Sequence, residues 1–340
     1  MNMDHTPPPI SNPKKKSKAG CLIGAGVFII LALALIGFIF NGLAKLGSMG
    51  GAVDSYPETV VEGDLFGDKK IAVIRVEGVI ESGGDNSMAE VAIGMLKQAR
   101  LDDSVKAVVV RVNSPGGGVT ASDEIYHEMN KVREAGKPVV VYMETLAASG
   151  GYYIACAADE VIANETTLTG SIGVIIASYN VSGLMDKVGV QPMVFKSGDF
   201  KDMLSPTREM RPEEEEYVQS MVMESYEKFL GLVSDARGIS KERLRDGIAD
   251  GRIISGAKAK ELGLVDSNGY LDDAIAAAKS RAGGGEFSVV AYKKLPSIGD
   301  LIGFGAEAKG EIEVNISPQF LPELKPGVPY LLPSEYAGSW

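Results

Sequence analysis

Three apolar runs rich in valine and isoleucine, separated by stretches of helical periodicity, constrain the fold of this 340-residue chain more than any other feature. They are "KIAVIRV", whose apolar part is Ile71–Val76, "KAVVVRV" from Lys106 to Val112, and "PVVVYM" from Pro138 to Met143. Between them the spacing of apolar residues predicts helices near Met88–Ala99 and Thr120–Ala135. Unbroken β-branched runs that alternate with helices belong to strands covered on both faces, so a largely parallel sheet in an α/β fold is expected. In the second helix Ala121, Ile125, Met129 and Val132 form the buried stripe and His127 falls on the opposite face. A longer helix follows Pro212, whose fixed φ suits a first helical position, with Val218, Val222, Phe229 and Val233 as its buried side. Glu213–Glu216 complement the positive end of that helix dipole and need no functional reading.

The content of 45% hydrophobic and 23% charged residues suits a globular protein, and a net charge of -11 argues against a nucleic-acid partner. The basic cluster Lys14–Lys16 with Lys18 stands directly before "AGCLIGAGVFIILALALIGFIF", Ala19 to Phe40, which holds no charge and no proline. At about 1.5 Å per residue this stretch reaches about 33 Å, enough to cross a bilayer core of about 30 Å. It is longer than the apolar part of a signal peptide, and Cys21 opens the run where a lipoprotein cysteine would follow one. A single transmembrane anchor over residues 19–44 is therefore expected. The preceding lysines place residues 1–18 in the cytoplasm and the main domain outside it. Residues 45–68 read as a linker, 69–295 as the folded domain, and 296–340 as a loop-like C-terminal extension carrying the short apolar "PYLLP". With two cysteines and two histidines in the whole chain, neither a disulfide framework nor a zinc site of the usual ligand count is expected, and no cofactor is called for.

The stretch "ETLAASGGYYIACAADE", residues 144 to 160, places Ser149 between two alanines and two glycines just after an apolar run. A serine hydroxyl needs a base to become a nucleophile. His5 lies in the cytoplasmic tail and His127 on an outer helix face, which makes a Ser-His-Asp triad a poor fit. A lysine stripped of its charge by burial can do the same work. Lys196 and Lys201, after a predicted strand in "VFKSGDFKDMLSP", are both candidates, and spacing does not choose between them. An oxyanion needs converging backbone N–H groups, and "NSPGGG" (Asn113–Gly118) stands at the carboxyl end of a predicted strand, where open α/β sheets place their sites.

Taken together, "NSPGGGVTASDEIY", "AASGGYYIACAADEVIANETTLTGSIGV", "KSGDFKDMLSPTREM" and "DGRIISGAKAKELGLVD" resemble, in this order, the signal peptide peptidase A family in its short single-domain form, over roughly residues 70 to 280. The resemblance implies a Clp-protease/crotonase fold, a spiral of ββα units, here with an N-terminal transmembrane helix. It implies a Ser-Lys dyad in which Ser149 is the nucleophile and Lys201 the general base, oriented by Ser171 of "TGSIG". Gly116 and Gly150 resemble the oxyanion-hole positions, with the glycines on either side able to serve. It further implies a bacterial inner-membrane enzyme that cleaves remnant signal peptides and other short apolar peptides, in a homo-oligomeric ring such as a tetramer or octamer, where a site can borrow a neighbour's residues. Two other readings are a crotonase-fold enzyme acting on acyl-coenzyme A and a catalytically silent membrane scaffold of the same fold.

Overall fold

The computed structural model describes residues 56–64, 67–84, 87–294 and 330–331. The expected anchor at 19–44 and its basic tail lie outside them, and among the described residues no helix is long and apolar enough to cross a membrane.

The first apolar run forms β2 (Lys70–Glu77), the second β3 (Val105–Ser114) and the third β5 (Val139–Ala148), after an edge strand β1 (Glu58–Glu62) and a two-residue strand β4 (Gly117–Gly118). These three pair in parallel, with Val73 opposite Val109 and Val109 opposite Val140. The sheet extends through β6 (Glu160–Ala163) and β9 (Ser267–Asn268) on one side and through β10 (Ser288–Tyr292) on the other, in the order β1-β10-β2-β3-β5-β6-β9. Helices α1 (Met88–Leu101) and α2 (Val119–Glu134) form within a residue or two of their expected positions. Ser87 caps α1 by accepting a hydrogen bond from the Glu90 N–H, and at the far end the Lys137 ammonium bonds the carbonyls of Ala99, Arg100 and Asp102, which have no partner within the helix.

Alternation along β3 explains why its sequence shows no polar face. Val108, Val110 and Val112 join a core with Leu96 of α1 and Ile125, Met129 and Val132 of α2, whereas Ala107 and Val109 join a second core with Ala274, Ile275 and Ala278 of a later helix, α8 (Leu271–Arg281). Both faces of the sheet are thus covered, and each fully buried valine or isoleucine contributes about 1.5–3 kcal/mol. The expected α/β architecture holds. Two expectations need correction. The segment read as a linker contains β1, whose residues Glu58–Glu62 pair antiparallel with β10, so the folded domain begins earlier than residue 69. Of the C-terminal extension, Tyr330–Leu331 form β11, antiparallel to β4, while its other residues lie outside those described.

Beyond Asn164, strand β7 (Leu168–Gly170) pairs with the last residues of β5, after which come a short helix α4 (Ser182–Val188), a single 3-10 turn (Asp199–Asp202) and the long helix α5 (Pro212–Arg237). Between Gly173 and Glu213 no residue is buried. The strand expected before Lys196 does not form: Val190–Lys196 pairs with no other strand, and Phe195 is 95% exposed. Helix α5 begins at Pro212 as expected, but its apolar burial is confined to the second half, through Phe229, Leu230 and Val233, while Val218 and Val222 are half-exposed. Helices α6 (Lys241–Gly247) and α7 (Gly256–Glu261) and strand β8 (Ile253–Ser255), antiparallel to β7, complete the chain before β9.

Candidate active site

β5 forks. Its first half pairs with β6, through Val140–Met143, and its end pairs with β7, through Leu146–Ala148, so Ala148 faces Gly170 across the ladder. The next residue, Ser149, turns abruptly with φ 53 and ψ -112 into helix α3 (Gly150–Ala155). A positive φ in a residue with a side chain costs about 1–3 kcal/mol and persists only where the surroundings over-determine it. Here they do: the Ser149 N–H donates to the Gly170 carbonyl at 2.9 Å, and the Ser149 carbonyl accepts from the Tyr153 N–H at 2.8 Å. The side chain is fully buried and does not cap the helix, and among the described residues its Oγ has no hydrogen-bond partner. A buried hydroxyl left unpaired costs about 1–3 kcal/mol, and such a group calls for an explanation in function.

The two glycines after Ser149 are required by what lies opposite. A Cβ on Gly150 would come within 2.5 Å of Ser122 Oγ and 3.1 Å of both Gly116 Cα and Gly117 N, and one on Gly151 within 2.9 Å of the Ser114 carbonyl. The start of α3 is therefore pressed against the "SPGGG" loop, which leaves β3 and enters α2. That loop is fixed by Ile80, whose N–H donates to the Gly116 carbonyl and whose carbonyl accepts from the Gly118 N–H, both at 2.8 Å. Gly116, with φ 101, donates its own N–H to Ser114 Oγ at 3.0 Å. This N–H, expected to face an oxyanion, is engaged within the loop, and the Gly117 nitrogen is the one beside Gly150. Ser114 and Ser122, both fully buried, escaped the sequence reading because nothing in their spacing marks them as struts for a glycine loop.

Ser171 follows Gly170 at the end of β7, is buried, and also has a positive φ of 49, fixed by its N–H bond to the Arg252 carbonyl at 2.8 Å. The β5–β7 register ends with Ala148 opposite Gly170, so Ser149 and Ser171 are the residues that directly follow two paired strand ends. The structure brings Ser149, Ser171, Gly116 and Gly150 together. It does not join Lys201 to them: that residue is exposed on the 3-10 turn, and Ser149 Oγ is bonded to none of the described residues. The two candidate lysines differ all the same. The Lys196 ammonium is committed to Asp202 Oδ1 at 2.8 Å and to the Asp199 carbonyl, whereas the Lys201 ammonium makes no hydrogen bond or ion pair among the described residues. Glu214, read from sequence as a plain dipole partner, is fully buried and takes hydrogen bonds from both Arg208 and Arg211. These bonds hold its carboxyl well below the usual carboxylate range. Among the described residues no group of three His, Cys, Asp or Glu side chains could hold a metal ion.

A strained, buried serine at a strand-to-helix turn, faced by a glycine loop on a parallel sheet, is the arrangement a serine hydrolase needs, on a Clp-protease-like α/β scaffold. Comparison with known proteins gives the family. Residues 72–169 match the Clp protease family and residues 131–284 match Peptidase family S49. The chain is 38% identical over 260 residues, 74% of its length and 73% of the relative's, to a protein of Enterococcus faecium provisionally named signal peptide peptidase SppA. It is 42% identical over 215 residues to a provisionally named protease of Synechocystis sp., covering 63% of this chain and 75% of that one. Against Protease 4 of Salmonella typhi the identity is 39% over 235 residues, 68% of this chain but 38% of the larger relative. The chain belongs to peptidase family S49, the signal peptide peptidase A family, and is a serine protease. That membership sets aside the acyl-coenzyme A reading.

Proposed function

We propose that this protein is a membrane-anchored endopeptidase that degrades remnant signal peptides through a Ser149–Lys201 dyad and an acyl-enzyme. The observation that carries the reading is the buried, unpartnered Ser149 hydroxyl on its strained turn, opposite a loop of glycine backbone. Neutral Lys201 takes the Ser149 proton as Oγ attacks the peptide carbonyl. Donors at Gly150 and Gly117 hold the oxyanion, with Gly116 shaping the loop, and the protonated lysine then gives its proton to the leaving amine. Water, activated by the same lysine, cleaves the ester and restores the hydroxyl. Ser171, beside Ser149, orients the lysine. Pairing of β11 with Gly117–Gly118 supports a peptide substrate, since that edge accepts an extended segment as an added strand.

The lysine comes from a neighbouring copy in this reading. Its arm, residues 174–213, has no core of its own and exposes Phe195, Met193, Val188 and Leu184, an apolar surface that a second copy of the chain would cover in a closed ring. The residues before 45 hold the enzyme in the inner membrane with the catalytic domain on the extracytoplasmic side, where spent signal peptides are left after export.

The test is product mapping with a synthetic signal peptide on the full-length protein. Wild type should cut within the apolar segment, and Ser149→Ala and Lys201→Ala should each lose at least about 1,000-fold in rate, on the scale of losses when a catalytic nucleophile or base is removed. Cleavage by either variant at the wild-type rate would overturn the dyad.

A further inference from the structure

No residue between Gly173 and Glu213 is buried, and beside Lys201 the apolar contact is the exposed edge of Phe200 against Tyr217 of α5, ring centroids 5.5 Å apart. Beyond that contact, what fixes the segment is a charged lattice. Arg208 donates from Nε to Asp202 Oδ2 at 3.0 Å and from Nη2 to Asp202 Oδ1 at 2.7 Å. The same guanidinium donates from Nη1 to Glu214 Oε2 at 2.8 Å and from Nη2 to Glu214 Oε1 at 2.7 Å. Two edges of one planar fork thus tie the end of the 3-10 turn to Glu214, the one buried residue in the first turn of α5. The other end of the turn is tied to the same anchor: Arg211 Nη2 bonds the Asp199 carbonyl at 2.7 Å and Glu214 Oε1 at 2.7 Å. Lys201 sits between the two ties, and its own ammonium is engaged by neither.

From this geometry we infer that Arg208 is the positioning residue of the general base: by bridging Asp202 and Glu214 it sets where the Lys201 backbone presents its amine. The inference rests on the reading of Lys201 as the base. The bridge uses the planar fork of the guanidinium, which pairs in parallel with two carboxylates; a lysine ammonium, with three donors on one atom, does not reproduce that geometry. The fold does not need the lattice, since of this segment only Val174, at its very start, packs against either core. Displacing a catalytic group by about 1 Å costs about 100-fold in rate.

The experiment compares full-length wild type, Arg208→Ala, Arg208→Lys and Lys201→Ala on a chromogenic apolar peptide. Arg208→Ala should lower kcat by about 100-fold while KM stays within about twofold, because the base and not the substrate site has moved. Arg208→Lys should be no better than about threefold above it, since charge without the fork leaves one carboxylate unbridged. Millimolar guanidinium chloride should restore at least about tenfold of the Arg208→Ala rate, and sodium chloride at equal ionic strength should not. Wild-type kcat in Arg208→Ala, full activity in Arg208→Lys, or a loss that guanidinium does not relieve would each overturn the inference. Should Arg208→Ala not fold, Asp202→Asn removes the other half of the bridge and must show the same drop in kcat at constant KM. Lys201→Ala separates the two ideas. If it is active, the dyad itself is wrong; if it is dead while Arg208→Ala is not, only the positioning role falls.

Discussion

Ser149 and Lys201 stand on regions built by different physics. The strand end that carries Ser149 is covered on both sides, and its neighbours Ala147, Ala148, Tyr152 and Ile154 are all fully buried. The arm that carries Lys201 is exposed along nearly its whole length and is organised by the pairs Arg208–Asp202, Arg208–Glu214 and Lys196–Asp202. A nucleophile held in strain needs rigid surroundings, because an unconstrained residue would relax out of the positive φ. In the proposed dyad the base meets it from another copy, and the apolar groups left uncovered on the arm are the surface that would bind that copy. The difference teaches that a part with its own core holds strain, while a part without one is ordered by polar bonds and leaves apolar groups outward.

The largest effect expected on this contrast comes from truncating one phenylalanine in each region. Phe229 is fully buried and packs against Tyr153 with ring centroids 5.1 Å apart, so Phe229→Ala should cost about 3–5 kcal/mol of unfolding free energy. Phe195→Ser should cost the fold nothing and instead lower the mass seen in sedimentation velocity. Denaturant titration reads the first and the sedimentation profile the second. A large stability loss in Phe195→Ser with unchanged mass would mean that the arm packs on its own chain after all.

A smaller effect is expected from adding one methyl group. Gly150→Ala places a carbon 2.5 Å from Ser122 Oγ and should destabilise by about 1–3 kcal/mol as the glycine loop is pushed back. Gly198→Ala, in the arm, meets nothing within 4 Å and has an ordinary extended φ of -168, so it should leave stability within about 0.5 kcal/mol of wild type. Equal losses in both variants, measured by thermal unfolding, would erase the distinction.

The same contrast decides what could be read from the sequence. Strands β2, β3 and β5 were legible because burial on both faces writes itself as an unbroken β-branched run, and Ser149 because its small neighbours are forced by close backbone approach. Ser171, Gly116 and Gly150 came only from the combination of motifs, and no local pattern would have told that Gly116 spends its N–H on Ser114. The stretch before Lys196 failed for the opposite reason. "VQPMVF" is apolar like a strand, but its apolar groups face outward from a single chain, and periodicity does not distinguish a core from an unfilled interface. β1 was missed because "ETVVE" is a short edge strand flanked by acids. The bridge through Arg208 was illegible since its partners lie six residues away in either direction, a spacing that belongs to neither helix nor strand.

The smallest effect is also the one that tests whether the arm is held by charge alone. Hydrogen bonds from Arg208, and then from Lys196, hold the Asp202 carboxyl well below the usual range, and those from Arg208 and Arg211 do the same for Glu214. For a carboxylate depressed in the folded state, the favourable contribution is complete above its unfolded pKa, about 4, and fades only as pH falls through the lower folded value. Mild acid should therefore leave the arm as it is at neutral pH, and strong acid should release it while the valine cores, which hold no such pairs, persist. Pepsin digestion at several acid pH values, normalised to an unfolded substrate, reads this directly. Wild type should resist cutting between Val190 and Arg211 at about pH 4.5 and yield there below about pH 3, whereas Asp202→Asn should be cut at both. Resistance of Asp202→Asn equal to wild type at the higher pH would place the restraint on the arm in something other than its ion pairs.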